Sequence, residues 1–130
     1  MPSIFTKIIN KEIPCYKIFE DDLTFACLDI NPHTLGHTLL FPKIETGTHL
    51  ELEEPYYSRL FLNAKIISQA IQRATNSKRV GMAIHGMGVP EHLHLHIVPM
   101  FTAFDLDQNK AHTEPEEKML EITQKIVSFL

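Results

Sequence analysis

No stretch of the 130 residues approaches the roughly 18–20 consecutive apolar positions that a membrane-crossing helix needs, so none is expected to span a bilayer. The opening Met1-Pro2-Ser3-Ile4-Phe5-Thr6-Lys7 lacks a basic region followed by an apolar one. No secretory signal is therefore expected, and the expectation is a cytoplasmic protein. Basic runs are missing as well. Twelve Lys and Arg stand against 16 Asp and Glu, for a net charge of -4, which makes a nucleic-acid backbone a poor partner. A free nucleotide needs no basic surface, because helix ends and backbone amides hold phosphate. Two cysteines, Cys15 and Cys27, are too few for a disulfide framework. They are expected as free thiols, near each other if a hairpin joins them. No Cys-x-x-Cys offers zinc ligands. Internal repeats and low-complexity runs are absent, and the length suits one domain, 1–130, with its own core.

What is present is a row: Glu91-His92-Leu93-His94-Leu95-His96-Ile97-Val98-Pro99. Side chains alternate faces along a strand, so His92, His94 and His96 share one face and Leu93, Leu95 and Ile97 the other. A helix would scatter both sets. Imidazole changes charge near neutral pH. A row of three can therefore serve phosphoryl chemistry or hold a metal, and His37 offers a further imidazole.

The remaining chain divides by local signals. Ser3 can cap a short helix toward Lys11 that Pro14 stops, with Ile4, Phe5, Ile8 and Ile9 on its apolar face. Tyr16 to Glu20 and Thr24 to Asp29 read as a hairpin whose acidic turn bonds its own backbone. His37 to Pro42 is apolar on both faces, hence a central strand. Pro55 to about Ala74 is the main helix, with a stripe of Tyr57, Leu60, Phe61, Ala64, Ile67, Ile71 and Ala74. Leu62 and Ile66 lie off that stripe and suggest a second buried surface. Val80 to Ile84 and His92 to Val98 are the last strands. Phe101 to His112 has no period and reads as a loop. Thr113-Glu114-Pro115-Glu116 is a capping-box pattern before a helical tail, about 113–130, with Met119, Ile122, Ile126 and Phe129 as its stripe. His33, His49 and His112 are isolated and are expected on the surface.

The row resembles the signature of the histidine triad (HIT) family of nucleotide hydrolases and transferases. Further blocks follow in the family's order: Ile4-Phe5-Thr6-Lys7-Ile8-Ile9, Lys11-Glu12-Ile13-Pro14, Phe19-Glu20-Asp21-Asp22, Leu28-Asp29-Ile30-Asn31-Pro32 and Gly36-His37-Thr38-Leu39-Leu40-Phe41-Pro42-Lys43. The likeness covers about residues 3–100. It implies an α+β fold with a five-stranded, mainly antiparallel sheet, one long helix and short terminal helices, dimeric through the long helix. It implies a purine nucleotide as substrate, with Phe5, Ile8 and Ile13 clamping the base, Ile30 bordering it and Val89 also binding the nucleotide. Asp29 would accept hydrogen bonds from the ribose hydroxyls, as a carboxylate can from two at once. Chemistry would fall at the α-phosphate of an AMP conjugate such as adenosine 5′-phosphoramidate. His94 would be the nucleophile, His96 would stabilise the phosphoryl charge, and His92 and His37 would complete the network, one of them aiding the leaving group. No cofactor and no metal would be required. The chain departs from the family in His85, where many relatives carry Asn, in a short loop without a hydroxyl, and in the inserted Glu91.

Other readings of the same residues stand beside this one. A dinucleoside polyphosphate hydrolase would use the same row. A nucleotide-binding partner protein would keep the blocks and lose the turnover. A metal centre of His37, His92, His94 and His96 would use the imidazoles and leave the nucleotide blocks unexplained.

Overall fold

Alternation along the strands decides which layer each residue joins. The computed structural model describes residues 2–130. Its strands are β1 (Lys17–Glu20), β2 (Thr24–Leu28), β3 (Thr38–Pro42), β4 (Arg79–Ala83) and β5 (Leu95–Met100), and its helices are α1 (Ile4–Ile9), α2 (Tyr56–Thr75) and α3 (Glu116–Val127). The five strands form one sheet in the order β1-β2-β3-β5-β4, with every neighbouring pair antiparallel. This is the expected α+β architecture.

On one face Ile18, Ala26, Leu28, Leu40, Leu95 and Ile97 pack with Leu60, Ala64, Ile67 and Ile71 of α2 and with Met119, Ile122 and Ile126 of α3. Their alternate neighbours Phe25, Cys27, Leu39 and Phe41 pack on the other face with Phe5, Ile8 and Ile9 of α1. The period of two thus builds a large core under the long helix and a smaller aromatic layer under α1. His96, the neighbour of Leu95 and Ile97, turns toward the α1 side.

Several boundaries differ from the sequence expectation. Strand β5 starts at Leu95, so His92 and His94 lie before the strand, His92 in a bend whose amide bonds Val89 O at 3.3 Å. The ladder to β3 stops at Leu40↔Leu95, and the Leu93 amide bonds Thr46 O in a loop instead, at 2.7 Å. Helix α1 ends at the Asn10 cap, and Lys11 turns left-handed, φ 65°, so Pro14 does not terminate it. The capping box of the tail does not form, because α3 begins after Pro115 with no side-chain cap. Phe129 lies beyond α3 and is exposed, and Tyr57 of α2 is exposed with its ring tilted against Phe61.

Other local expectations hold. Ser3 caps α1, accepting the Thr6 amide at 3.0 Å. In the hairpin turn the Asp21 carboxylate accepts the Leu23 and Thr24 amides at 3.0 and 2.7 Å. It also takes Arg59 and Asn63 of α2, tying the turn to the long helix. Within Phe101–His112 a short 3-10 helix forms at Gln108–Lys110, capped by Asp107. The buried Asp105 carboxylate accepts the Phe101 and Thr102 amides, so this segment is built rather than loose. No helix among the described residues is long and apolar enough to cross a membrane.

Candidate active site

Where β3 and β5 meet on the α1 face, six imidazoles come together. His37, just before β3, and His96 of β5 face each other with Nε2···Nδ1 3.0 Å. His94 and His96 have ring centroids 5.0 Å apart. Phe5 of α1 lies 5.5 and 4.8 Å from the rings of His92 and His94. His33 meets His37 edge-on at 4.5 Å, and His85 stacks on His96 at 5.3 Å.

Backbone partners fix which nitrogen of each ring carries the proton. His94 Nδ1 lies 3.0 Å from His92 O. A carbonyl only accepts, so Nδ1 holds the proton and Nε2 keeps a free lone pair. His92 Nε2 donates to Pro42 O at 2.7 Å, and its Nδ1 takes the hydroxyl of Ser3 at 2.6 Å. His37 Nδ1 accepts the His33 amide at 3.1 Å, so its Nε2–H donates to His96 Nδ1. His96 then carries its proton on Nε2, which is buried with no partner among the described residues. The arrangement leaves one bare imidazole nitrogen and one unspent N–H donor on neighbouring rings.

Burial favours the neutral form of His37, His92, His94 and His96. Desolvation, then the neighbouring His96 and His33, pull His37 down to about 3. Desolvation and the rings of His94, His85 and His33 pull His96 to about 4. Desolvation also lowers His94, against the opposing pull of the His92 carbonyl. Asp29, at the end of β2, is raised by burial and stands 3.6 Å from His37 Nε2. One ligand atom each from Asp29, His37 and His96 lies within 4.8 Å of the others. This set fits a metal poorly. His37 presents N–H there, and the His33 amide blocks the tautomer that would expose a lone pair.

The expected binding residues divide. Phe5 is buried in the aromatic layer, with Ile8 and Val89 packed on it. Asp29 sits beside the imidazoles. Ile13 instead lines, with Ile8, Phe25 and Cys15, an adjoining cavity of about 220 Å³. Ile30 is 65% exposed. Cys15 and Cys27 are free thiols, Cys27 in the aromatic layer and Cys15 packed against it.

Three participants were not expected. His33 is half-buried rather than a plain surface residue: its Nδ1 donates to Asp105 O at 3.0 Å and its amide orients His37. His85 accepts the Met87 amide at Nδ1 and reaches the Gln108 amide with Nε2 at 3.3 Å. Together with Ala83, His96 and Leu106, these three residues enclose a cavity of about 170 Å³. His33 and Gln108 carry no periodic signal. The spacing of His33 four residues before His37 within a Pro-bearing turn was the one available hint. His49 and His112 are exposed, as expected.

The model of the HIT domain matches residues 10–103. The chain is 38% identical over 131 residues to an uncharacterized HIT-like protein of Borreliella burgdorferi, covering 95% of this chain and 94% of that one. It is 33% identical over 101 residues to the adenosine 5′-monophosphoramidase hnt1 of Schizosaccharomyces pombe, covering 76% and 74%. The crystal structure of a HIT-like protein from Bartonella henselae superposes with a TM-score of 0.84 at 28% identity, covering 98% and 96%.

Proposed function

The chain belongs to the HIT family, and from that premise we propose that it hydrolyses or transfers the nucleotidyl group of AMP conjugates through a covalent nucleotidyl-histidine. The observation that carries this reading is the pairing of a bare Nε2 on His94 with an unspent Nε2–H on His96. A lone pair is what a nucleophile needs, and a fixed donor beside it is what the phosphoryl oxygen needs.

In the first step His94 Nε2 attacks the α-phosphorus. A phosphorus–nitrogen bond forms, and the bond to the leaving group breaks with its electron pair. His96 Nε2–H donates to the phosphoryl or leaving atom, where negative charge gathers. His92 has both ring nitrogens engaged by Ser3 and Pro42, so its part is to hold the nucleophile. His37 works through His96. Water then attacks the nucleotidyl-histidine, releasing AMP and restoring His94. Positioning and hydrogen bonds suffice for such transfer. No metal or other cofactor enters the proposal, in keeping with the N–H that His37 presents. Asp29 accepts from the ribose, and the base lies against Phe5, Ile8 and Val89, with Ile30 and Ile13 at its margin.

AMP conjugates are favoured over dinucleoside polyphosphates by the small cavity beside His96. At about 170 Å³ it suits a small leaving group. The S. pombe relative is named for phosphoramidase activity, which agrees with a small leaving group. The proposal includes a cytoplasmic location and a homodimer of one-domain chains. Strand β4 is a free sheet edge and Leu62 and Ile66 of α2 are exposed, as a twofold interface would use.

The test is turnover of adenosine 5′-phosphoramidate, with acid-quench trapping of labelled nucleotidyl-protein. The wild type is expected to turn over and to yield trapped label, and His94→Ala to do neither. Wild-type kcat in His94→Ala would overturn the nucleophile. Tight AMP binding without turnover of any conjugate would favour a binding protein instead.

A further inference from the structure

We propose that Ser3 is a positioning residue for His94, acting through His92. The inference rests on His94 as the nucleophile. What makes His94 Nε2 available is the proton held on Nδ1 by the carbonyl of His92, 3.0 Å away. That carbonyl sits in the lead-in to β5, where the ladder to β3 has already ended at Leu95. Sheet hydrogen bonds therefore do not fix its direction. The His92 ring does, because both its nitrogens are tied, Nε2 to Pro42 O at 2.7 Å and Nδ1 to Ser3 Oγ at 2.6 Å. The His92 side chain is fully buried, so bulk water cannot replace a lost partner, and an unmet buried acceptor is costly.

Ser3 is itself aimed. Its amide donates to the Glu45 carboxylate at 2.5 Å, and Thr6 Oγ1 holds the same carboxylate at 2.9 Å. Ser3 Oγ accepts the Thr6 amide at 3.0 Å. With that lone pair used, the hydroxyl proton points to His92 Nδ1. The residue that caps α1 thus sets the ring whose carbonyl sets the nucleophile. The same turn carries Phe5, which packs on both rings. Ser3 and Phe5 both precede the matched family segment of 10–103, so the family motif by itself does not reveal the relay.

Two measurements on Ser3→Ala and Ser3→Thr test it. In ¹⁵N spectra of ring-labelled protein, wild-type His94 is expected to show one protonated and one bare nitrogen. Ser3→Ala is expected to move these signals toward a mixture of tautomers. Its kcat for adenosine 5′-phosphoramidate should fall about tenfold, the effect of one buried hydrogen bond, with KM within about twofold because uniform binding is untouched. Ser3→Thr keeps a hydroxyl on the same carbon and should restore both. If Ser3→Ala does not fold, Glu45→Gln loosens the Ser3 amide without removing the hydroxyl and should shift both readouts in the same direction. A folded Ser3→Ala with wild-type kcat, or with unmoved His94 signals, overturns the relay. Ring signals that shift while His94→Ala still turns over would instead remove His94 as nucleophile and leave the positioning intact.

Discussion

His37 Nε2–H donates to Nδ1 of His96 across 3.0 Å, and this bond leaves His96 donating from its far nitrogen. Removing His37 frees His96 to adopt the other tautomer and withdraw that donor. His37→Ala is therefore expected to lower kcat about 10- to 100-fold, toward the loss seen when one oxyanion donor is deleted, with a smaller change in KM. His37→Gln, whose amide can still donate toward His96, should recover part of it. Steady-state kinetics on adenosine 5′-phosphoramidate decide. Equal losses in the two variants would show that His37 matters for packing alone.

Much of this was legible from residues 92–98, and the reason is geometric. The period of two that puts Leu93, Leu95 and Ile97 into the α2 core also commits the histidines to the opposite face. That inference survives the early end of the ladder, since Leu93 still packs into the α2 core while His92 and His94 pack on Phe5. His37 came from the resemblance, not from a pattern. His33, Gln108 and the role of Ser3 beyond capping were not legible. Each acts through one long-range hydrogen bond, and such bonds leave no trace in local periodicity. The segment carrying Gln108 looked like a plain loop because Asp105 builds it from amides rather than from an apolar stripe.

The pH profile follows from burial. His94 and His96 are held below the usual imidazole value, His96 at about 4, so the neutral nucleophile persists on the acid side of ~6.5. The acid limb of kcat/KM is expected below pH 6.5. Stability should follow the same groups. With His37 at about 3 and His96 at about 4 when folded, the unfolded chain binds more protons between those values and ~6.5. Stability against urea is expected to be flat from these rings above that window and to fall as pH drops through it. His37→Gln should flatten the slope. An acid limb above 6.5 would mean that the rings are not desolvated.

Gln108 should govern the leaving group. Its amide, with His85, Leu106 and His33, bounds the small cavity beside His96. Gln108→Ala is expected to change kcat/KM about two- to tenfold for one leaving group relative to another, within the range of a single neutral contact. The comparison is adenosine 5′-phosphoramidate against diadenosine polyphosphate, the bulkier conjugate gaining relative to the smaller. A uniform change across both substrates would place Gln108 outside the leaving-group path.

Leu62 and Ile66, 56% and 41% exposed on α2, are expected to be covered in a twofold dimer beside the free edge of β4. Light scattering should give twice the mass of 14.9 kDa. The Leu62→Glu and Ile66→Glu double variant should give the single mass, because like charges buried across a symmetry axis meet their own copies. A wild-type chain that scatters as a monomer at micromolar concentration removes the interface.

Gly36 tests how far the backbone before β3 controls the chemistry. Its φ is +108°, and a Cβ there would stand 3.1 Å from Thr75 Cγ2 and 3.4 Å from Pro99 Cγ. The neighbouring bonds, His37 N to Thr34 O at 3.0 Å and Thr38 Oγ1 to Gly36 O at 2.9 Å, leave little room to relax. Gly36→Ala is expected to cost about 1–3 kcal/mol, the range for a forced backbone conformation, read from urea unfolding. Gly88→Ala meets nothing within 4 Å and serves as the control. Because His37 follows Gly36 directly, any shift that relieves the contact also moves the Nε2–H off His96. Activity of the fraction still folded should therefore fall together with stability. A destabilised Gly36→Ala with full kcat per folded molecule would show that His37 is held by the His33 amide and the ring stack alone.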